Sequence, residues 1–512
     1  MADRALAESI AGELGAEHVT ADPAELEDYF DPFPIGDPDE FGPALAARPG
    51  SVEEVQAVLR IARETGTPVW TVSRGKNNGY GGRSPRRAGS IVLHLERMNR
   101  VLELDTVSGT ALIEPGVTFS DLYDALQAAG GEFWPSVPDL SWGSVVGNAL
   151  DRGMGYTAFG ENNSALAGLE VVLADGDVVR TGMGAMTGSR SWQLYRPGFG
   201  PSVEGLFSQS NYGVVTKAGL WLMRRPERWA AVDIAAFGED DLAPLIDTLR
   251  PFKLDGTIPG TVSTADVTGV ASFIAPRAHW VEGRGPLPAD FTERLMREFG
   301  LGRWNMQFPL YGSRGVLAAR VAEVRAAFEH AIPGARVSIA EYDGDTPADE
   351  VPEMHRTRGG IPGMYVERMP YWWGGRGGHI AVTPVSPITG EDALRLNRIV
   401  KRRFDEFGAD WFSVFCGLGR HMLNIAQIMY DRDDAEQVAR SRELARVLIR
   451  DLAAEGYGEY RAHLALMDDV ASSFDWNSNA LNRLHTRLKD AIDPAGVLSP
   501  GKSGIWPGDS AA

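Results

Sequence analysis

The sequence predicts a two-domain α+β protein: a mixed domain of helices and short strands first, then an antiparallel sheet covered by helices. Three observations predict it. The chain has 512 residues, more than one hydrophobic core usually supports. Up to about residue 225 short strands and turns mix with single helices, and after Pro226 long helical segments alternate with strands. The composition, 44% hydrophobic and 23% charged, is that of an ordinary globular protein.

Ser51-Val-Glu-Glu54 is a capping box, followed by Val52, Val55, Val58, Leu59 and Ala62 at helical spacing. Gly66 suits the end of that helix, and residues 69–72 read as a strand. The chain then enters a glycine- and asparagine-rich turn from Arg74 to Gly82. Strands are expected at 91–95, 101–104 and 111–114, and a helix at 120–129. A hairpin joins 170–173 to 178–181 across Asp175-Gly176. Beyond Pro226, helices at 316–330, 390–407 and 434–455 alternate with strands at 336–341, 379–384 and 411–415, which suits a sheet under helices. From Asn482 a short helix leads into Asp493-Pro-Ala-Gly-Val-Leu-Ser-Pro-Gly-Lys502.

A formal net charge of -19 would repel nucleic-acid phosphates and anionic membrane surfaces, so neither partner is expected. Residues 1–14 lack the basic region and apolar core of a secretion signal, and no apolar stretch reaches membrane-spanning length. A cytoplasmic protein is expected. The single cysteine, Cys416, lies in the apolar run Val414-Phe415-Cys416 and reads as a buried small hydrophobe. Neither H-E-x-x-H nor C-x-x-C occurs and the histidines are scattered, so no metal site is expected.

One motif is a decoy. Gly496-Val-Leu-Ser-Pro-Gly501-Lys502-Ser503 matches the phosphate-loop pattern, which works only when a strand feeds the loop and a helix follows. Pro500 interrupts it, and Gly504 and Pro507 come next, so a structured turn is the better reading. No stretch matches G-x-G-x-x-G, and a Rossmann dinucleotide site is not expected. The informative segment is Gly75-Lys76-Asn77-Asn78-Gly79-Tyr80-Gly81-Gly82. Such a cluster ordinarily means a surface turn, but its glycines also permit close ligand approach and its N–H groups can form an anion nest. Two later segments favour the second reading: Pro138-Asp139-Leu-Ser-Trp-Gly-Ser144-Val-Val-Gly147-Asn148, continuing to Asp151-Arg152-Gly-Met-Gly155-Tyr156, and Ser210-Asn-Tyr-Gly213-Val-Val215-Thr-Lys217.

In this order and spacing the three segments resemble the FAD-binding domain of the vanillyl-alcohol oxidase/p-cresol methylhydroxylase flavoproteins. The likeness runs from about Asp31 to Trp506 and includes Gly378-His379-Ile380 and Pro500-Gly-Lys-Ser-Gly-Ile-Trp506. It implies FAD held by backbone loops at Gly75, Lys76, Asn77, Asn78, Gly79, Ser144, Asn148 and Val215, with Lys502 near the flavin. The fold implied is an FAD-binding domain of residues 1–225, completed by 480–512, and a substrate cap of residues 226–479. His379 falls on the family's covalent flavin histidine, an 8α-histidyl link; the methylhydroxylase branch uses a tyrosine, so histidine favours the oxidase branch. Tyr80, Tyr460 and Arg461 match the phenolate clamp, Asp139 the carboxylate near flavin N5, and Glu367 a pocket-lining position. Asp151 is read as structural, pairing with Arg152.

The activity implied is oxidation of para-substituted phenols through a quinone methide, with O2 reduced to hydrogen peroxide, by a homodimer or larger assembly. A dehydrogenase passing electrons to a cytochrome is the alternative. The chain also departs from the family's pattern. Gly419-Arg-His-Met422 replaces a Glu-Met-His-His run, Glu161-Asn162-Asn163 replaces Asp-His, and Ser413 stands where a bulkier amide occurs. Ser413 is therefore expected to open the substrate pocket beside the ring.

Overall fold

The computed structural model describes residues 2–508. In the first half, Val69–Val72, Ile91–His94 and Leu45–Ala47 form a small parallel sheet edged by Val19–Thr20. The helix Val52–Thr65 packs on it through Val55, Val58, Leu59 and Ala62. Its ends are as expected: the Ser51 side chain accepts from Glu54 N–H, and Gly66 closes it at φ 67°. The Glu54 carboxylate reaches back one residue further than the motif implies, to Gly50 N–H at 2.7 Å.

A second, antiparallel sheet orders Val101–Asp105, Thr110–Ile113, Val214–Trp221, Leu166–Val172 and Val178–Arg180. The expected hairpin closes it, with Gly176 at φ 93°. The segment 497–499 returns to the first sheet, where Val69 N–H donates to Val497 O and Ser499 N–H to Val69 O, both at 2.7 Å. Lys489, fully buried, locks this return by pairing with Asp493 at 2.7 Å and donating to Asn211 O at 2.9 Å.

The rest of the chain builds one large antiparallel sheet, in the order Arg336–Asp343, Arg228–Ala236, Trp304–Gly312, Val262–Asp266, Ser413–Gly417, His421–Asp431 and Gly377–Val382. Long helices Leu242–Leu254, Arg314–Ala331, Gly390–Phe407 and Ala435–Ala454 contribute Leu249, Phe328, Phe404 and Leu448 to a core on one face. The sheet's own Ile380, Val382, Phe415, Ala426 and Ile428 point into that core. Because side chains alternate along a strand, His379, Ala381, Val414, Cys416, Ile425 and Gln427 must project from the other face. The two domains meet there. Among the described residues no helix is long and apolar enough to cross a membrane.

Candidate active site

The glycine-rich loop turns beneath this second face. Gly79 has φ 78°, and a Cβ there would sit 2.7 Å from His379 Nε2, so the residue must be glycine for the histidine to approach. A cavity of about 260 Å³ is lined by Gly75, Lys76, Asn77 and Asn78 from this loop, Ser144 and Asn148 from the next, Val215 and Lys502. Ser144 caps the short helix Val145–Leu150, accepting from Gly147 N–H at 2.8 Å and donating to Pro115 O at 2.6 Å. Asn148 is oriented by Asn162 Nδ2 at 2.7 Å, and the Lys76 ammonium lies 4.5 Å from the Trp142 ring centre.

A second cavity, about 620 Å³, shares Asn77, Tyr80, Asp151, Arg461 and Lys502 with the first. At the shared wall the Arg461 guanidinium lies 4.0 Å from the Tyr80 ring centre and 5.9 Å from that of Tyr460. Its Nη2 donates to Asn77 Oδ1 at 2.6 Å. Burial raises both tyrosine hydroxyls above their ordinary range, and Arg461 only partly opposes this. Burial also works against the Arg461 charge, but Tyr460, Tyr80 and Asp151 hold its pKa above the usual value. The trio thus presents one permanent cation and two hydroxyls that keep their protons.

Asp151 pairs with Lys502 at 3.0 Å rather than with its neighbour Arg152, as the sequence suggested. Burial would raise its carboxyl, yet Lys502 and Arg461 hold it below the ordinary carboxylate range. The decoy motif dissolves here: Lys502–Gly504 is a single 3-10 turn and no α-helix follows it among the described residues.

Asp139 lies outside both cavity walls, on a loop tied to the later part of the chain by Ser141 N–H donating to Gly363 O at 2.9 Å. Its Oδ2 accepts from Val366 N–H at 3.1 Å, while Oδ1 is buried without a partner. Burial pushes this carboxyl up. Tyr156, which the sequence did not single out, is held well above the ordinary tyrosine range by burial, with Cys416, Asp139 and Tyr460 adding to the effect. Glu367 accepts from Asn78 Nδ2 at 2.6 Å, and burial raises its pKa. It therefore braces the glycine-rich loop.

His379 is buried, with Nδ1 unpartnered and the ring edge-on to Phe33 at 5.2 Å. Burial pushes its pKa down to about 4, so the imidazole is neutral. The glycines before it serve the protein's own packing: a Cβ on Gly378 would lie 2.9 Å from the Tyr430 ring.

Ser413 is a correction. Its Oγ accepts from Asn424 Nδ2 at 2.7 Å, on the core face with Phe415. The residues of that strand that share a cluster with Tyr460 are Val414 and Cys416, and Ile425 and Met154 pack against the same cluster. A one-residue offset in a strand reverses the face. Cys416 itself is buried, its thiol pushed up to about 12.

Backbone loops around a cavity, an orphaned neutral imidazole beside them and a lysine at the far wall suit a flavin nucleotide. Residues 43–182 match the family described as "FAD binding domain". Over 470 residues the chain is 35% identical to the 4-cresol dehydrogenase (hydroxylating) flavoprotein subunit of Pseudomonas putida, covering 90% of this chain and 88% of that protein. The structure of 4-ethylphenol oxidase from Gulosibacter chungangensis, in complex with isoeugenol, superposes with a TM-score of 0.94 at 38% identity, covering 99% of this chain and 98% of that one. Substrate-bound p-cresol methylhydroxylase gives a TM-score of 0.92 at 32% identity, covering 98% and 97%. The protein is an FAD-dependent oxidoreductase. It belongs to the vanillyl-alcohol oxidase/p-cresol methylhydroxylase family of flavoproteins.

Proposed function

We propose that this protein oxidises para-substituted phenols, 4-alkylphenols and 4-hydroxybenzylic alcohols among them, with O2 as the acceptor and hydrogen peroxide as co-product. The observation that carries the reading is Arg461 held between Tyr80 and Tyr460. A phenol of pKa ~10 needs about 3 units of lowering to ionise at neutral pH, about 4 kcal/mol. One cation and two hydroxyl donors converging on the oxygen supply stabilisation of that order. Because Tyr80 and Tyr460 keep their own protons, the incoming phenol is the group that ionises. FAD, when bound, supplies the two-electron acceptor for hydride from the benzylic carbon.

In this reading a quinone methide forms from the substrate, and Asp139 Oδ1, free of protein partners, takes the proton of a substrate alcohol or of attacking water. His379 would hold the flavin, and its Nε2, the nitrogen nearest Gly79, would carry the link to the 8α carbon. Asn77 steers Arg461. Residues 1–225 with 480–512 form the FAD-binding domain in this scheme and 226–479 the cap.

The test is stopped flow with 4-ethylphenol. Anaerobic bleaching of the flavin followed by recolouring with air and stoichiometric peroxide supports the oxidase. Bleaching with recolouring only by an artificial acceptor gives the dehydrogenase, and no bleaching removes the phenol reading. Acid precipitation checks the anchor: wild-type pellets should stay yellow and His379→Ala pellets should lose colour.

A further inference from the structure

Gln427 is a buried amide on the site-facing side of the large sheet, and the mechanism does not use it. It is 8% exposed and its Oε1 has no hydrogen-bond partner. Leaving such a group unpaired is costly, so its presence asks for a ligand or a water. The strand register fixes where it sits. Gln427 pairs with Ala381, two residues from the His379–Met429 pair on one side and two from the Val414–Ile425 pair on the other. Two residues advance a strand by about 7 Å. The amide therefore stands midway between His379 and the residues that share a cluster with Tyr460. Its cross-strand partner is the small Ala381, which offers the amide no hydrogen bond from its side chain.

A phenol held by Tyr80, Tyr460 and Arg461 would lay its ring along this wall. The flavin edge that carries the 8α carbon is hydrocarbon and offers an amide nothing. We infer that Gln427 is a specificity-determining residue that accepts a hydrogen bond from a hydroxyl group next to the phenol oxygen. The hydroxyl would donate to Oε1, the atom that the fold leaves unpaired. The inference rests on the phenol-oxidase reading above. A site that bonds a polar group discriminates against ligands lacking it, because the protein group is then left unpaired.

Gln427→Met keeps the shape and removes both hydrogen-bonding ends. The ratio of kcat/KM for 3,4-dihydroxybenzyl alcohol to that for 4-hydroxybenzyl alcohol should fall about tenfold, the effect of one net hydrogen bond, mainly through KM for the dihydroxylated substrate. If the Met variant comes without flavin, Gln427→Asn, which withdraws the amide by one methylene, should lower the same ratio. A ratio unchanged in a flavin-loaded variant overturns the inference, as does an equal loss on both substrates. Failure of the wild-type enzyme to oxidise either alcohol is a separate result, and it overturns the phenol-oxidase reading itself.

Discussion

Asp139 and Asp151 are twelve residues apart on the same glycine-rich stretch, and the fold gives them opposite electrostatic fates. Asp151 faces Lys502 at 3.0 Å and the charge of Arg461, and stays anionic below the ordinary range. Asp139 has no cation at hydrogen-bonding distance, keeps one oxygen unpaired and is pushed up by burial. Residue type says little about the role of a buried carboxylate; what stands opposite decides it. A carboxylate already bound to a lysine is poorly placed to exchange a proton, whereas one with a free oxygen and a raised pKa is poised to do so.

The contrast breaks most sharply at the residue that feels both tyrosines and Asp151. Arg461→Ala should lower kcat/KM for phenols by about 2–5 kcal/mol, of order a thousandfold, because a desolvated phenolate loses its counter-charge. FAD content should be kept, since backbone loops line the cavity. Unchanged turnover in a flavin-loaded variant would dissolve the clamp.

Asp139→Asn comes next. General acid–base groups contribute about 10²-fold or more, so flavin reduction under anaerobic stopped flow should slow by about that factor. The pH profile sharpens the assignment. A raised pKa means the carboxylate form appears only above the ordinary value near ~4. The acid limb of the wild-type reduction rate should therefore lie above that range and vanish in the variant. If the limb persists in Asp139→Asn, Glu367 takes the role.

Asp151→Asn is the control for the comparison, with a smaller expected effect. The variant leaves Lys502 without its anion and makes the surroundings of Arg461 more positive. Reduction rate should stay within about threefold while phenol binds slightly tighter, a change of a few tenths of a kcal/mol to about 1 kcal/mol for a partly exposed pair. A hundredfold fall in the rate of flavin reduction would erase the distinction between the two aspartates.

Much of this arrangement was legible in the sequence, for reasons that differ by element. Local rules carried the helix at Val52–Thr65 and its caps, the Asp175-Gly176 hairpin and the later long helices, of which Gly390–Phe407 and Ala435–Ala454 are capped by Thr389 and Asp434. Strands such as Arg228–Ala236, Trp304–Gly312 and Val262–Asp266 escaped, because they mix apolar and polar residues and owe their place to pairing partners far away in the chain. The site's loops were legible through long, specific strings. Side-chain direction was not. Ser413 and Val414 exchange faces on one residue of register, and Asp151 chooses Lys502 across 351 positions over its neighbour Arg152. Tyr156 and Gln427 gave no signal because a lone tyrosine or glutamine becomes informative only once its surroundings are known.

A third carboxyl tests the same principle on stability. Glu459, adjacent to the clamp, accepts from Thr383 N–H at 2.5 Å, has Oε1 buried and unpartnered, and is pushed up to about 8 by burial. In the unfolded chain a glutamate ionises near ~4.3. Between that value and about 8 the folded state holds a proton that the unfolded state has released. Stability therefore falls as pH rises through this window, and the loss is complete once the folded carboxyl also ionises. Glu459→Gln keeps an acceptor for Thr383 N–H and removes the ionisation. Its melting temperature should match the wild type at about pH 4, where both side chains are neutral, and exceed it by about 5 °C near pH 9. A gap independent of pH would mean that Glu459 is an ordinary solvated carboxylate, and that burial without an opposing cation does not suffice to raise a carboxyl at this site.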